Sequence, residues 1–374
     1  MKNSLILALL VVVSIVFTSC KDKINLVGKG VESAVVIGVL DQADTTHYIK
    51  ITRTFIGDGQ TSAVDIAQIS DSSYFNKVEV TIKEILSNGS VGRTFVLDER
   101  ILHNKNTNGA FYAPDQKVYA FDTPANQPLL DDARYQMTAK IDDGRIVITG
   151  ETKLVNGITV SNVGNTNYAI KLTKSGGSLG QYANQSIQVS NVGSSYKINA
   201  KVRFDYREFT TGLLDSTDHS IWFELGEYDV QPGSSSSQSF TFSGETFYKT
   251  LAEKIPVSAS IEKRINTGFE FFFTGASSEL SNYIEVNKPS SSLAQTKPTF
   301  TNLKITEGHN VIGILAARQT VHYYKPATAA SSIVQTLDKK SRRELCIGPK
   351  TGNLSFCSRH TADQAPIQET WYCN

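Results

Sequence analysis

Charge of one sign, cysteine and long apolar runs are all scarce in this sequence. Lys and Arg number 37 against 36 Asp and Glu, a formal net charge of +1 over 374 residues. A chain so balanced has no global field with which to collect nucleic acid, so no nucleic-acid partner is expected. Cysteine occurs four times, at 20, 346, 357 and 373. None of these forms a close C-x₂₋₄-C pair, and the histidines at 47, 103, 219, 309, 322 and 360 never fall into HxH or HExxH spacing. No metal site and no other cofactor is therefore expected.

The one apolar run, "LILALLVVVSIVF", follows Lys2 and is interrupted only by Ser14. At about 1.5 Å per residue it reaches roughly 20 Å in a helix, short of a hydrocarbon core of about 30 Å. It therefore reads as the h-region of a signal peptide over residues 1–19. Small Thr18 and Ser19 precede Cys20, which resembles the cleavage site of a bacterial lipoprotein, where the cysteine thiol accepts diacylglycerol. The resemblance implies lipid attachment at Cys20, a tether over 20–30 and membrane association through several acyl chains. Lys21 and Asp22 resemble the surface-export signal of Bacteroidetes lipoproteins, so the outer membrane or cell surface is the expected address.

The other cysteines are confined to the tail, which suits an oxidising compartment. Three permit one bridge and leave one thiol over. In "ELCIGPKTGNLSFCS", Gly348, Pro349, Gly352 and Asn353 separate two of them, so a turn closed by a Cys346–Cys357 disulfide is the expected pairing.

Helical periodicity is also rare, and what fills the chain is strand pattern. "SAVVIGVL", "HYIKITRTF", "KVEVTIKEIL", "RTFVL", "KVYAF", "RYQMTAKI" and "RIVITGETKL" are short, rich in β-branched and aromatic residues, and bounded by Asp, Asn, Gly or Pro. Such a series predicts an immunoglobulin-like β-sandwich over 31–155. Within "LLDDARYQMTAKIDDGRIVI", Tyr135, Met137, Ala139 and Ile141 share one face and Asp143-Gly144 makes a turn. That is the pattern of a closing hairpin carrying a tyrosine corner.

Residues 156–374 read as a larger β-rich domain with one helix. V-S-N-V-G recurs in "ITVSNVGNTNYAIKL" and "IQVSNVGSSYKINAKV", two copies that predict neighbouring strands in one sheet. The helix is expected at 244–254, with Ser243 as N-cap and Phe247, Leu251 and Ile255 on one face.

Few segments carry chemistry. "GGSLG" satisfies G-x-S-x-G, but no helical period follows Ser178, so a nucleophile elbow is not expected. Asn104, Asn106, Asn108, Gly109 and Asp115 are spaced like a calcium loop but contain one carboxylate, and read as a polar turn. No catalytic residue is assigned, and the protein is not expected to be an enzyme. In "SIWFEL", adjacent Trp222 and Phe223 cannot both face one core. Burial of both, one of them under the helix, is the plainer reading; an exposed aromatic platform for a sugar is the functional one. In "FEFFF", Phe269, Phe271 and Phe273 share a face and Phe272 is the odd residue.

Taken together, Cys20, "VVIGVLDQADTTHYIKITRTFIGDG", "DSSYFNKVEVTIKEI", "ETFYKTLAEKI" and "PTFTNLKITEGHNVIGILAAR" resemble the Bacteroidetes envelope lipoproteins carrying domain of unknown function 4249. The resemblance implies an architecture, an address and company with outer-membrane transport systems. It implies no mechanism. The function expected is binding or scaffolding beside an outer-membrane transporter or receptor; a surface hydrolase of glycans or peptides and an adhesin are the alternatives.

Overall fold

The alternating segments form strands, and their pairing builds the architecture. The computed structural model describes residues 33–54, 63–109, 111–163, 165, 168–233, 236–288, 299–327, 336–364 and 368–373. Cys20 and the leader and tether expected at 1–19 and 20–30 lie outside the described residues. The protein is mainly β.

The first half contains β1 (Ser33–Asp41), β2 (Thr46–Arg53), β3 (Val78–Ile85), β4 (Val91–Leu102), β5 (Gln116–Asp122), β6 (Arg134–Ile141) and β7 (Ile146–Lys153). β1, β2 and β5 form one antiparallel ladder, and β3, β6 and β7 another. β4 belongs to both: its start pairs with β3 from Val91 to Leu97, and its end pairs with β5 from Asp98 to Leu102. Two antiparallel sheets sharing one long strand in this order have immunoglobulin-like topology. Val36, Ile49, Ile51, Val80, Ile82, Met137 and Ile148 are buried between them. Tyr135 is fully buried, and its Oη accepts a hydrogen bond from the Leu130 amide at 2.6 Å, five residues upstream, as a tyrosine corner requires.

The second half contributes β8 (Ile158–Val160), β9 (Asn184–Val192), β10 (Lys197–Thr210), β11 (Ser216–Asp229), β12 (Gln238–Ser243), β13 (Ile261–Ala276), β14 (Lys304–Ile305) and β15 (Asn310–Pro326). The ladder crosses the boundary near residue 155. β15 lies parallel to β1 from Ser33↔Asn310 to Asp41↔Arg318, and β14 pairs with β7. A single hydrogen-bonded order therefore runs β11-β10-β13-β15-β1-β2-β5-β4-β3-β6-β7-β14. Gly313 permits the parallel contact. Its φ is +105°, and a Cβ there would sit 1.9 Å from the Val36 carbonyl oxygen.

β12, β9 and β8 form a second, three-stranded sheet, in which the two V-S-N-V-G copies are neighbours through Ile158↔Val192. This sheet and the helix Gly244–Lys254 cover one face of β10, β11 and β13. Phe242 and Phe247 meet Phe223 and Phe269 with ring centroids 5.4–6.1 Å apart. The helix starts as its sequence predicts, with the Ser243 side chain accepting from the Thr246 amide, and it buries Phe247, Tyr248 and Leu251.

That helix is joined by Ser278–Asn287 and Lys339–Ile347, which the strand-dominated reading missed. The first buries none of its residues fully, and its apolar stripe is only Leu280, Tyr283 and Ile284, half-buried and too short to show a clear period. The second corrects the disulfide. Cys346 lies within it and is buried as a free thiol, while Cys357 is bonded to Cys373. Gly348 and Gly352 close the helix through bonds to Glu344 and Gly348 carbonyls instead of turning a hairpin. Ser358 then pairs with Tyr372, and this bridge sets Cys373 beside Cys357.

One buried histidine gives the fold a pH dependence. His47 is almost wholly enclosed, stacked on Phe121 at 4.7 Å, with Nε2 2.9 Å from Thr123 Oγ1 and no partner for Nδ1 among the described residues. Burial pushes its pKa down to about 4, outweighing Asp41 and Asp122, which favour the charged form. The unfolded chain therefore takes a proton near pH 6.5 that the folded protein refuses until about pH 4. Stability from this group is complete above the unfolded pKa and falls with pH through that window, by up to roughly 3 kcal/mol. His47→Gln should flatten that part of a denaturation-midpoint profile; an unchanged slope between pH 6.5 and 4 would contradict the assignment.

Candidate binding face

The helix and small sheet cover one side of β11, β10, β13 and β15, and the other side carries a different set of residues. Strand alternation sorts them. Val202, Phe204, Ile221, Phe223, Phe269, Phe271 and Phe273 point into the core. Trp222, Phe272, His322 and Tyr324 stand on the opposite side with Lys201, Arg203, Asp205, Glu224 and Glu270. The adjacent pair at 222 and 223 is thus split. Phe223 is 6% exposed beneath the helix, and Trp222 is 47% exposed on the outer face. Burial of both, the plainer reading, holds for Phe223 and fails for Trp222; of the alternative aromatic platform, only Trp222 is on the outer face.

Register places these groups in rows. Trp222, Arg203, Glu270 and Tyr324 lie side by side on β11, β10, β13 and β15, and Glu224, Lys201, Phe272 and His322 form the next row. The rings lean together across the rows. Trp222 and Phe272 centroids are 5.1 Å apart at 40°, and Phe272 stacks with His322 at 5.9 Å and 13°. Arg203 lies over both Trp222 and Phe272, at 5.8 and 5.9 Å from the ring centres.

The charged groups hold one another in place. Arg203 donates through Nε and Nη2 to Asp205, at 2.8 and 3.0 Å, and its Nη2 makes an ion pair with Glu270 at 2.8 Å. Asp205 also accepts from Ser220 Oγ, and the other Glu270 oxygen meets His322 Nδ1 at 2.7 Å. The bonds from Asp205 raise the pKa of Arg203 further, so the guanidinium is a permanent fixed charge. Burial raises that of Tyr324, whose hydroxyl donates to the Thr267 carbonyl. Asp205 and Glu270 converge on one guanidinium, on an open sheet face and not in a cleft.

The other sequence candidates are not drawn into this face. Ser178 lies in a turned segment framed by Lys174–Gln181 and Gly177–Lys174 backbone bonds, with no elbow. Asn106 caps the Asn108 amide in a local turn, and Asp115 pairs with His103. Among the described residues, no three His, Cys, Asp or Glu side chains gather as metal ligands. A small cavity of about 40 Å³ lies between Asn266, Arg342, Cys346 and His360, in the tail.

The sequence alone missed Arg203, Asp205, Glu270, His322 and Tyr324. The signal lay in the outward positions of strands already recognised. Which strands lie side by side was the missing fact.

No family model matches the chain, and no curated relative matches it. Among solved structures, the C-terminal globular domain of an oligosaccharyltransferase from Pyrococcus abyssi aligns at 9% identity with a TM-score of 0.20. The alignment covers 58% of this chain and 39% of that one, and at this level of likeness it carries no argument.

Proposed function

We propose that this protein is a lipid-anchored envelope protein that binds a ligand or partner beside an outer-membrane transport system, through the outer face of β11, β10, β13 and β15. The observation that carries the reading is the short h-region ending at Cys20. A thirteen-residue apolar run is too short to span and is placed to deliver one cysteine to a lipid. Among the described residues no helix is long and apolar enough to cross a membrane, so the lipid is the attachment on this reading. The likeness to the lipoproteins with domain 4249 supports the address and the company of a transporter. The exposed rings of Trp222 and Tyr324, set among charges that are already paired, support binding over chemistry.

Cys20→Ala tests the anchor. The variant should appear in the soluble envelope fraction or remain with its leader uncleaved, whereas the unaltered protein should partition with detergent-extracted membranes. Normal processing and full membrane retention of Cys20→Ala would sink the reading. Gentle extraction of the native protein should bring a transport component with it.

A further inference from the structure

The outer face specifies more than a generic contact. Its rows alternate aromatic and charged groups: Trp222 and Tyr324 stand at the two ends of one row, with Arg203 and Glu270 between them. A protein partner's interface core would have to dehydrate that central ion pair, and interface cores are depleted in charge. An acyl chain needs a continuous apolar groove, and this face has none. An anion fares no better, because Arg203 is bonded to Asp205 and Glu270, Lys201 to Glu224, and Arg207 to Asp218. A phosphate or sulfate would have to break those pairs.

What remains fits an uncharged molecule that is apolar on its faces and hydroxylated at its rim. Trp222 has one side committed to Arg203 and Phe272 but keeps 47% of its surface in solvent, and Tyr324 keeps 52%. Arg203 Nη1, between the rings, and His322 Nε2, one row along on the strand of Tyr324, have no hydrogen-bond partner among the described residues, while their other nitrogens are fixed by carboxylates. Held side chains lose little freedom on binding. Four strands about 4.8 Å apart make a strip of about 14 Å, enough for more than one ring of a chain.

We propose that this face binds a neutral oligosaccharide laid across the strands, one sugar ring stacked on Trp222 and another against Tyr324, with hydroxyls taken by Arg203 Nη1 and His322 Nε2. The inference rests on reading the face as the binding site and adds the ligand class. The C–H faces of a pyranose match the electron-rich faces of the rings. Its hydroxyls can use the paired charges as hydrogen-bond partners without separating them.

The test uses the full lipid-bearing protein in a zwitterionic detergent, since a glycosidic detergent would compete. Cellohexaose, xylohexaose, mannohexaose and chitohexaose are titrated in turn by calorimetry and by intrinsic fluorescence. The sequence has two tryptophans, and Trp371 is 3% exposed, so a change in emission reports on Trp222. At least one sugar should bind saturably, with a Kd of about 1 mM or tighter. Trp222→Ala should weaken binding at least about tenfold and Tyr324→Ala several-fold. The melting temperature of each variant separates a lost contact from a lost fold. Flat titrations with all four sugars, or wild-type affinity in Trp222→Ala, would overturn the proposal. If no sugar binds but Trp222→Ala loses a co-extracted protein, the ligand class is wrong and the face is still a docking surface. If sugar binds equally in Cys20→Ala protein released from the membrane, the ligand class stands whatever becomes of the anchor.

Discussion

Tyr135→Ala should destabilise the protein by about 3–5 kcal/mol, the range for truncating a buried aromatic. The ring is fully enclosed, and the hydroxyl is the hub of a local network. It accepts from the Leu130 amide at 2.6 Å and lies 3.1 Å from the Leu130 carbonyl and 3.0 Å from Glu84 Oε2. Glu84 is itself buried and bonded to Arg93, which donates onward to the Gln127 and Pro128 carbonyls. Burial opposes ionisation of Glu84, but the bonds from Arg93 and Tyr135 prevail and hold its pKa below the ordinary value. Tyr135→Phe keeps the ring and leaves the Leu130 amide and the Glu84 carboxylate short of a partner, so about 1–3 kcal/mol should be lost. Denaturant unfolding of the full chain measures both. If both variants unfold like the native protein, the corner does not support the sandwich.

Arg264→Ala should cost a similar 3–5 kcal/mol for a different reason. Its guanidinium is 1% exposed on β13 and ties together pieces far apart in the chain. Nε donates to Glu208 on β10 at 2.7 Å, Nη1 to the Leu354 carbonyl at 2.6 Å, and Nη2 to the Pro256 carbonyl at 3.0 Å. Removing it strands a partly buried carboxylate and two carbonyls. The tail should loosen first, since the Arg264 backbone also pairs with Ser355 and Cys357. Faster proteolysis within 336–373 is therefore the expected early sign. Arg264→Met combined with Glu208→Leu should recover part of the loss, because no charge is then left alone. A double variant no better than Arg264→Met would show that the arginine acts through its carbonyl contacts and not through the pair.

These two residues mark where sequence reading succeeds and where it stops. Tyr135 is visible because its meaning is local: alternation through Ile141, an Asp-Gly turn and a partner five residues upstream all lie within one short stretch. The same holds for the Ser243 cap. For the pair at 222 and 223 the plainer reading, burial of both, fails at Trp222, because nothing local says whether the outer face of that strand is covered. Arg264 and Glu208 are 56 residues apart, and Arg342 and Asp363 are joined from helix to tail, so no spacing rule finds either pair. The cysteine pairing failed on the same ground. Glycine and proline after Cys346 do mark a chain reversal, but they end a helix there, and only the contact of Ser358 with Tyr372 selects Cys373. The outer face of β11, β10, β13 and β15 was legible strand by strand and invisible as a face. Its rows depend on β15 reaching β13 and β1 from the far end of the chain.

The seat of β1 between β15 and β2 also decides how the protein bears load. Force entering at the N-terminal end of β1 runs along the strand, while its hydrogen bonds to β15 and β2 lie across it. Those bonds must shear together; they cannot be peeled one at a time. The first described strand is thus a grip against force applied along it.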